Sequence, residues 1–346
     1  MKNFEQPKKI ISTFENAIAT SFVINSSNFT FKGAIYDKYG SICLDSQRTK
    51  TGNNEWMPND PTQISIDFNA KFVSGKSIYL GNYTGHFGHF LLESLSRVWA
   101  LRQINAPFGG YDNFIFHPFL HKSPAIKKFL PAKISFDCFG IQQDKTIIIN
   151  EPLRFESLTV PSSLFHINQN AHPDMAFIYK DIYEYCKSTK PSTFNRLFNL
   201  LRHENGNFDH LYLSRRKTKG YRPMANEKDV ERIFLSSGFR IIHPEKCSFE
   251  QLVCMFQKSC VIAGIEGSGL HNSVFMRPHQ HVISIGTLRE PSGNILNQQL
   301  CDALSNVQTH HIPFLGVTNY RGKAIYDIKN LATKLTHILK ANIQTF

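Results

Sequence analysis

Apolar and polar positions change rhythm twice along this chain. From residue 21 to about residue 68, short apolar runs (SFVI, FTFKGAIY, SICL, ISIDF) are broken by Asn, Gly, Ser and Pro, which predicts a strand-rich N-terminal region. From Ser77 the pattern predicts a strand (SIYL), a loop over residues 81–88, and a helix with Leu91, Leu92, Leu95, Val98 and Trp99 on one face. NFIFH, a helical stretch at residues 125–130, KISFDCF, TIIIN and SLTVP then alternate β with α, as expected of a parallel or mixed sheet. The first domain is expected to end close to Ser163, giving a division at residues 1–165 and 166–325.

Beyond that point the period is helical. Met175, Ile178, Tyr179, Ile182, Tyr183 and Cys186 form the stripe of an amphipathic helix, a bridge between domains. HLYLSR, FRIIHP, CVIAGI and HVISIG then read as four strands, separated by helices over residues 226–237, 248–258 and 268–276. Gly238 stops the first of these helices and Ser248 caps the second. Strands joined by such helices are βαβ units, hence a doubly wound parallel sheet. A last helix over residues 327–343, with Ile328, Leu331, Leu335, Ile338 and Leu339 on one side, is expected to cross the domain boundary as a separate element, residues 326–346.

Composition narrows the class. With 346 residues, 41% hydrophobic and 19% charged, and with 29 Phe and 12 Tyr, the chain is globular and long enough for two cores. No apolar run reaches the ~18–20 residues of a membrane span, and MKNFEQPKK leads into no signal-peptide core, so a cytoplasmic protein is expected. The seven cysteines are scattered and never spaced C-x-x-C, so they read as reduced thiols. The formal charge of +12 points to anionic partners. Nucleic acid is disfavoured among them, because no basic block exceeds Arg215-Arg216-Lys217.

In an open α/β sheet, ligands bind beyond the C-terminal ends of the strands. Two loops there carry candidate chemistry. Arg215, Arg216, Lys217 and Arg222 follow HLYLSR and could clamp a diphosphate; the alternative is a solvated basic loop. Glu266, Gly267, Ser268, Gly269, Leu270, His271 and Asn272 follow CVIAGI; the glycines allow close backbone approach, and a helix opening at Ser268 would offer N–H groups to a phosphate. This loop matches neither G-x-G-x-x-G, nor the P-loop, nor G-x-S-x-G. Upstream, His89, Glu93 and Arg97 are spaced i, i+4, i+8, so on a helix a carboxylate stands beside an imidazole, as a general base requires. Histidines that merely pack are the alternative. His86 and His89 lack a third ligand at zinc spacing, and no Asp-x-Asp occurs to hold a metal on a nucleotide diphosphate, so no metal site is expected.

The run YLSRR…R…NE…GF…HPE…SFEQLV…F…VIAGIEGSGLHNSVF, with GHFGHFLLESLSRVW upstream, resembles glycosyltransferase family 61, in particular its bacterial capsular-polysaccharide members. The resemblance covers residues 79–102 and 211–286. It implies an α/β fold of GT-B type, two Rossmann-like domains facing a cleft, and inverting transfer from a nucleotide sugar. His89, Glu93 and Arg97 match the family's H-x-x-x-E-x-x-x-R, and Arg215, Arg216, Asn226 and Glu227 match its Arg and Asn-Glu positions. Gly267, Ser268, Gly269, Leu270 and Asn272 match the glycine-rich loop. Glu266 and His271 depart from eukaryotic members, which usually carry His and Thr there.

Together these readings predict a glycosyltransferase that needs no cofactor. His89 and Glu93 would be catalytic, and Arg97, Arg215, Arg216, Arg222, Asn226, Glu227 and the 266–272 loop would bind the donor, a UDP-sugar first. The expected partners are that donor and a glycan or glycolipid acceptor of a capsule or lipopolysaccharide, with peripheral contact to the inner membrane. A non-catalytic nucleotide- or phosphate-binding protein with the same basic cleft is the rival.

Overall fold

The computed structural model of the chain describes residues 6–48, 57–67, 69–103, 110–119, 125–189, 210–216, 224–319 and 321–343. Its contacts divide it into two units, Met1–Ile182 and Tyr183–Phe346, the division falling inside the helix Met175–Thr189.

Among the described residues, the first unit is built on a six-stranded sheet. Its strands are β1 (Ile11–Ala19), β2 (Ile35–Tyr36), β3 (Lys71–Tyr83), β4 (Asn113–Pro118), β5 (Thr146–Ile148) and β6 (Leu153–Pro161). Their spatial order is β2-β1-β6-β3-β4-β5. The last four run parallel, whereas β1 pairs antiparallel with both β2 and β6. The sheet is therefore mixed rather than uniformly Rossmann-like. Tyr79, Ile115, Phe155, Leu158 and Val160 form its core with Ala17 and Ala19.

Local sequence explains two departures from expectation. KISFDCF alternates like a strand but lies in the helix α1 (Leu130–Cys138), which Pro131 helps to open at a position where its missing N–H costs nothing. ISIDF forms no ladder strand; Ile64 instead donates its N–H to the Gly40 carbonyl, bracing a turn. The helix α2 (Met175–Thr189) follows its stripe, with Met175, Ile178, Tyr179, Ile182, Tyr183 and Cys186 all buried.

Among the described residues, the second unit carries a five-stranded parallel sheet: β7 (His210–Leu213), β8 (Phe239–Ile242), β9 (Val261–Ile265), β10 (His281–Ile285) and β11 (Gln308–Ile312). The order β8-β7-β9-β10-β11 is the doubly wound arrangement in which winding reverses between the first and third strands. β9 and β10 are buried at every position, as parallel strands covered on both faces must be. The fifth strand escapes sequence reading because QTHHI has no apolar run. Among the described residues its helices include α3 (Glu227–Ser236), α4 (Phe249–Lys258), α5 (Leu296–Ser305) and α6 (Ile328–Ile338). Ser248 caps α4 in a reciprocal pair with Gln251, satisfying two otherwise orphaned N–H groups.

The helix α6 closes the core of this same unit. Leu331 and Leu335 pack with Val230, Phe234, Ile283 and Ile312. Tyr212 and Phe234 stack with ring centroids 4.3 Å apart. Phe234→Ala removes a fully buried ring from this cluster, so it should lower the stability of the second unit by ~3–5 kcal/mol, read as a fall in its urea midpoint.

Candidate functional site

Two groups of candidate residues take shape, one in each unit. The first lies where β3 ends. A short helical segment, Phe87–His89, passes into a π-helical turn, Phe90–Ser94. Phe90, Leu91, Leu92 and Leu95 are buried and anchor this segment, and the His86 ring accepts the His89 N–H at its start. One turn apart, His89 Nδ1 lies 2.5 Å from Glu93 Oε2. The expected imidazole–carboxylate pair is thus formed. The His89 side chain is 31% exposed, and no described residue hydrogen-bonds its Nε2.

Arg97 does not extend that face. The helical path breaks after Ser94, and the Arg97 guanidinium is buried, donating to the carbonyls of Pro161 (2.5 Å) and Gln47 (3.4 Å) while lying over the Tyr79 ring. In this structure it ties β6 to the segment before Arg48. The cation that does meet Glu93 is Arg48, whose Nε lies 2.5 Å from Oε1. The Arg48 guanidinium also covers the Phe119 ring at 4.6 Å, and His89 meets the same ring at 6.0 Å. Burial pushes the Glu93 carboxyl up, but Arg48 and His89 outweigh it and bring its pKa down to about 2. Glu93 is therefore ionised at neutral pH and holds the imidazole from Nδ1.

The second group lies at the C-terminal ends of β7 and β9, where the winding reverses. Beyond β7, the Ser214 hydroxyl donates to Glu231 Oε1 (2.6 Å) and the Arg215 N–H donates to Glu227 Oε1. Arg216 pairs with Glu231 at 3.0 Å, its own N–H donating to Ser214 Oγ. Two carboxylates on the first turns of α3 thus hold the backbone from which the arginines project. Burial raises the Glu227 pKa and Glu231 adds to the rise, against the Arg215 N–H and the Ser214 hydroxyl.

Beyond β9, the buried Glu266 continues the ladder by donating its N–H to the Ile285 carbonyl. Gly267 then adopts φ +139°, and a Cβ built there would overlap the Arg215 guanidinium. The arginine and the glycine-rich turn are therefore in contact, a proximity that their distance in sequence does not reveal. Tyr326 closes the group. Burial raises its phenol pKa, Arg215 opposes the rise, and Glu227 and Glu266 add to it.

Several of the expected ligands make hydrogen bonds within the unit. Asn226 spends its amide on the backbone of Tyr326, donating to its carbonyl and accepting its N–H, each at 2.9 Å. Leu270, His271 and Asn272 are buried. His271 Nδ1 meets Gln298 Oε1 at 2.9 Å, and Asn272 Nδ2 donates to the Gly269 carbonyl at 2.9 Å. No α-helix opens at Ser268; a six-residue 3-10 segment, Leu270–Phe275, begins after Gly269, so no multi-turn dipole stands behind the loop. Arg222 lies outside the described residues.

Sequence reasoning missed Arg48, Gln298, Asp302 and Tyr326. Gln298 and Asp302 are one turn apart on α5, and from there the Gln298 amide donates to Leu270 O, Ser273 Oγ and Asp302 Oδ1. Burial, only partly opposed by hydrogen bonds from Ser273, Thr309 and Gln298, raises the Asp302 pKa to about 6. The i, i+4 spacing of Gln298 and Asp302 was the available signal. Among the described residues, no three His, Cys, Asp or Glu side chains gather as a metal cluster, and no helix is long and apolar enough to cross a membrane.

A doubly wound sheet with a glycine turn and an arginine at its reversal point has the layout in which open α/β folds bind their ligands. A family model described as Glycosyltransferase 61 matches residues 87–283, more than half of the chain, and the chain belongs to that family. Membership brings glycosyl transfer, with a sugar donor and an acceptor. No curated protein matches the chain.

Two predictions follow from this geometry. Gly267→Ala should cost ~1–3 kcal/mol of stability in the second unit and displace Arg215, whereas Gly269→Ala, at φ −62° with open space at the Cβ, should be tolerated; parallel urea titrations compare them. Because the Glu93 carboxyl is held at about 2 when folded against an ordinary 4.5, its contribution is complete above pH 4.5 and fades as pH falls toward 2. Acid unfolding followed by circular dichroism should therefore be less steep below pH 4.5 in Glu93→Gln than in wild type.

Proposed function

We propose that the chain is a metal-independent, inverting glycosyltransferase of GT-B type. It takes sugar from a nucleoside diphosphate sugar, a UDP-sugar first, and adds it to a hydroxyl of a bacterial surface glycan, capsule or lipopolysaccharide. The observation that carries this reading is the contact between the Arg215 guanidinium and Gly267 at the reversal point of the parallel sheet. Fixed positive charge and exposed turn backbone together suit a diphosphate.

In this reading the second unit holds the donor. Arg215, Arg216 and the backbone of Gly267, Ser268 and Gly269 stabilise the charge that grows on the departing diphosphate, donors that need no rearrangement during reaction. The first unit activates the acceptor. His89 donates its Nδ1–H to Glu93 and takes the acceptor hydroxyl proton at Nε2. A bond forms between the acceptor oxygen and the anomeric carbon while the bond from that carbon to the diphosphate oxygen breaks, its electron pair leaving with the nucleotide. Attack from the face opposite the leaving group inverts the centre. The charge of +12 fits a cytoplasmic enzyme resting on an anionic inner membrane beside a glycolipid acceptor.

Two variants test the division of labour. His89→Ala should lower kcat by ~10²–10⁴ while UDP affinity stays within a few-fold. Arg215→Ala should weaken UDP by ~10-fold or more, since it removes a charge-assisted contact. Steady-state kinetics with UDP binding by calorimetry separates the effects. Unchanged turnover in the His89 variant, or unchanged UDP affinity in the Arg215 variant, overturns the corresponding assignment.

A further inference from the structure

Glu93 is gripped from two sides. Arg48 reaches it with Nε 2.5 Å from Oε1 and Nη2 3.5 Å from Oε2, while His89 Nδ1 lies 2.5 Å from Oε2. The side chains of Arg48 and Glu93 are 6% and 12% exposed, so water and salt screen their attraction far less than at a surface pair. Phe119 contacts both Arg48 and His89, with the guanidinium over its ring and the imidazole meeting it edge-on. Among the described residues, the charged groups acting on Glu93 are Arg48, from the segment that follows the 3-10 turn Leu44–Ser46, and His89 from its own helix. A second titratable ring beside His89, among the described residues, is His86, whose centroid is 4.9 Å away.

A buried carboxylate beside an imidazole does two things. It fixes the tautomer, which a base needs, and it stabilises the imidazolium, which leaves the base already protonated. Resting on the reading of His89 as the base, we propose that Arg48 is a positioning residue that offsets the Glu93 charge, so that Glu93 orients the ring through Nδ1–H without drawing a second proton onto Nε2. Arg48 also locks the carboxylate plane by engaging both oxygens. It lies outside residues 87–283, the span of the family match, so it is a support supplied by the strand-rich N-terminal region.

The test follows the His89 ring by NMR pH titration in the full chain, alongside the pH profile of kcat/KM. Arg48→Met should move the His89 midpoint up by ~1 pH unit or more relative to wild type, with the acid limb of the profile moving equally. Arg48→Lys, which keeps the charge, should stay close to wild type. The double variant Arg48→Met with Glu93→Gln should titrate well below Arg48→Met, because the unopposed carboxylate is gone. A folded Arg48→Met whose His89 midpoint matches wild type overturns the proposal, as does a double variant that titrates like Arg48→Met. Removing one partner of a buried pair can unfold the unit, so a second comparison stands ready. Glu93→Gln alone should titrate lower than the double variant, since only the former keeps the Arg48 charge; equal midpoints overturn the proposal. Should His89→Ala retain turnover, the base assignment fails, and the titration shifts still report independently on Arg48.

Discussion

Parallel strands can be joined only by crossovers, and in the order β8-β7-β9-β10-β11 those crossovers must diverge on either side of β7 and β9. That divergence leaves the C-terminal ends of two adjacent strands uncovered by any connecting helix. Everything assigned to the donor side depends on this opening. The turn after β9 enters it with a glycine in a conformation few side chains adopt, and the turn after β7 lays the Arg215 guanidinium on that glycine. The supports then follow from the need to hold two loops in contact: carboxylates of α3 under the Arg215 backbone, Tyr326 beside them, and Gln298 beneath the 3-10 segment.

Glutamates in the two units show how environment decides role. Glu93 and Glu227 are both largely withdrawn from water, yet burial dominates at Glu227 and raises its pKa, whereas cationic neighbours win at Glu93 and lower it. Glu227 has Glu231 as its neighbour and spends an oxygen on the Arg215 N–H. A carboxylate so occupied braces a backbone and is poorly placed to accept a proton from substrate. Glu93, ionised between Arg48 and His89, orients a ring instead. Of the candidate bases, His89 therefore combines an oriented ring with an Nε2 that no described residue occupies.

How much of this was legible in the sequence depended on the range of each interaction. The α2 stripe, the Ser248 cap and the His89–Glu93 pair were readable because each is a spacing within one or two turns. The four apolar strands of the second unit were readable because parallel strands buried on both faces leave continuous apolar runs. β11 was not, since its two histidines interrupt such a run, and α1 was misread because Ile134 and Phe136 happen to alternate. Arg97 does not share the His89–Glu93 face for a related reason: i, i+8 spacing assumes a continuous α-helix, and the π-turn followed by a break turns its side chain toward Pro161. Arg48 could not be found at all by spacing, because its partner is 45 residues away.

That last contrast has a physical root. Groups that touch substrate must converge within a few ångströms, and a helix turn or a strand end accomplishes this with residues close in sequence. The groups that set their charge and orientation need only reach the far side of those residues, so any part of the chain that packs there can supply them. Here the His89–Glu93 pair and the Arg215–Gly267 contact fall within residues 87–283, while Arg48, Gln298, Asp302 and Tyr326 fall outside. A match to the family span thus locates candidate chemistry with only part of its supports. A carboxylate between an arginine and a histidine behaves differently from one beside a histidine alone, so the ionisation of Glu93 depends in part on Arg48, which lies outside the matched span.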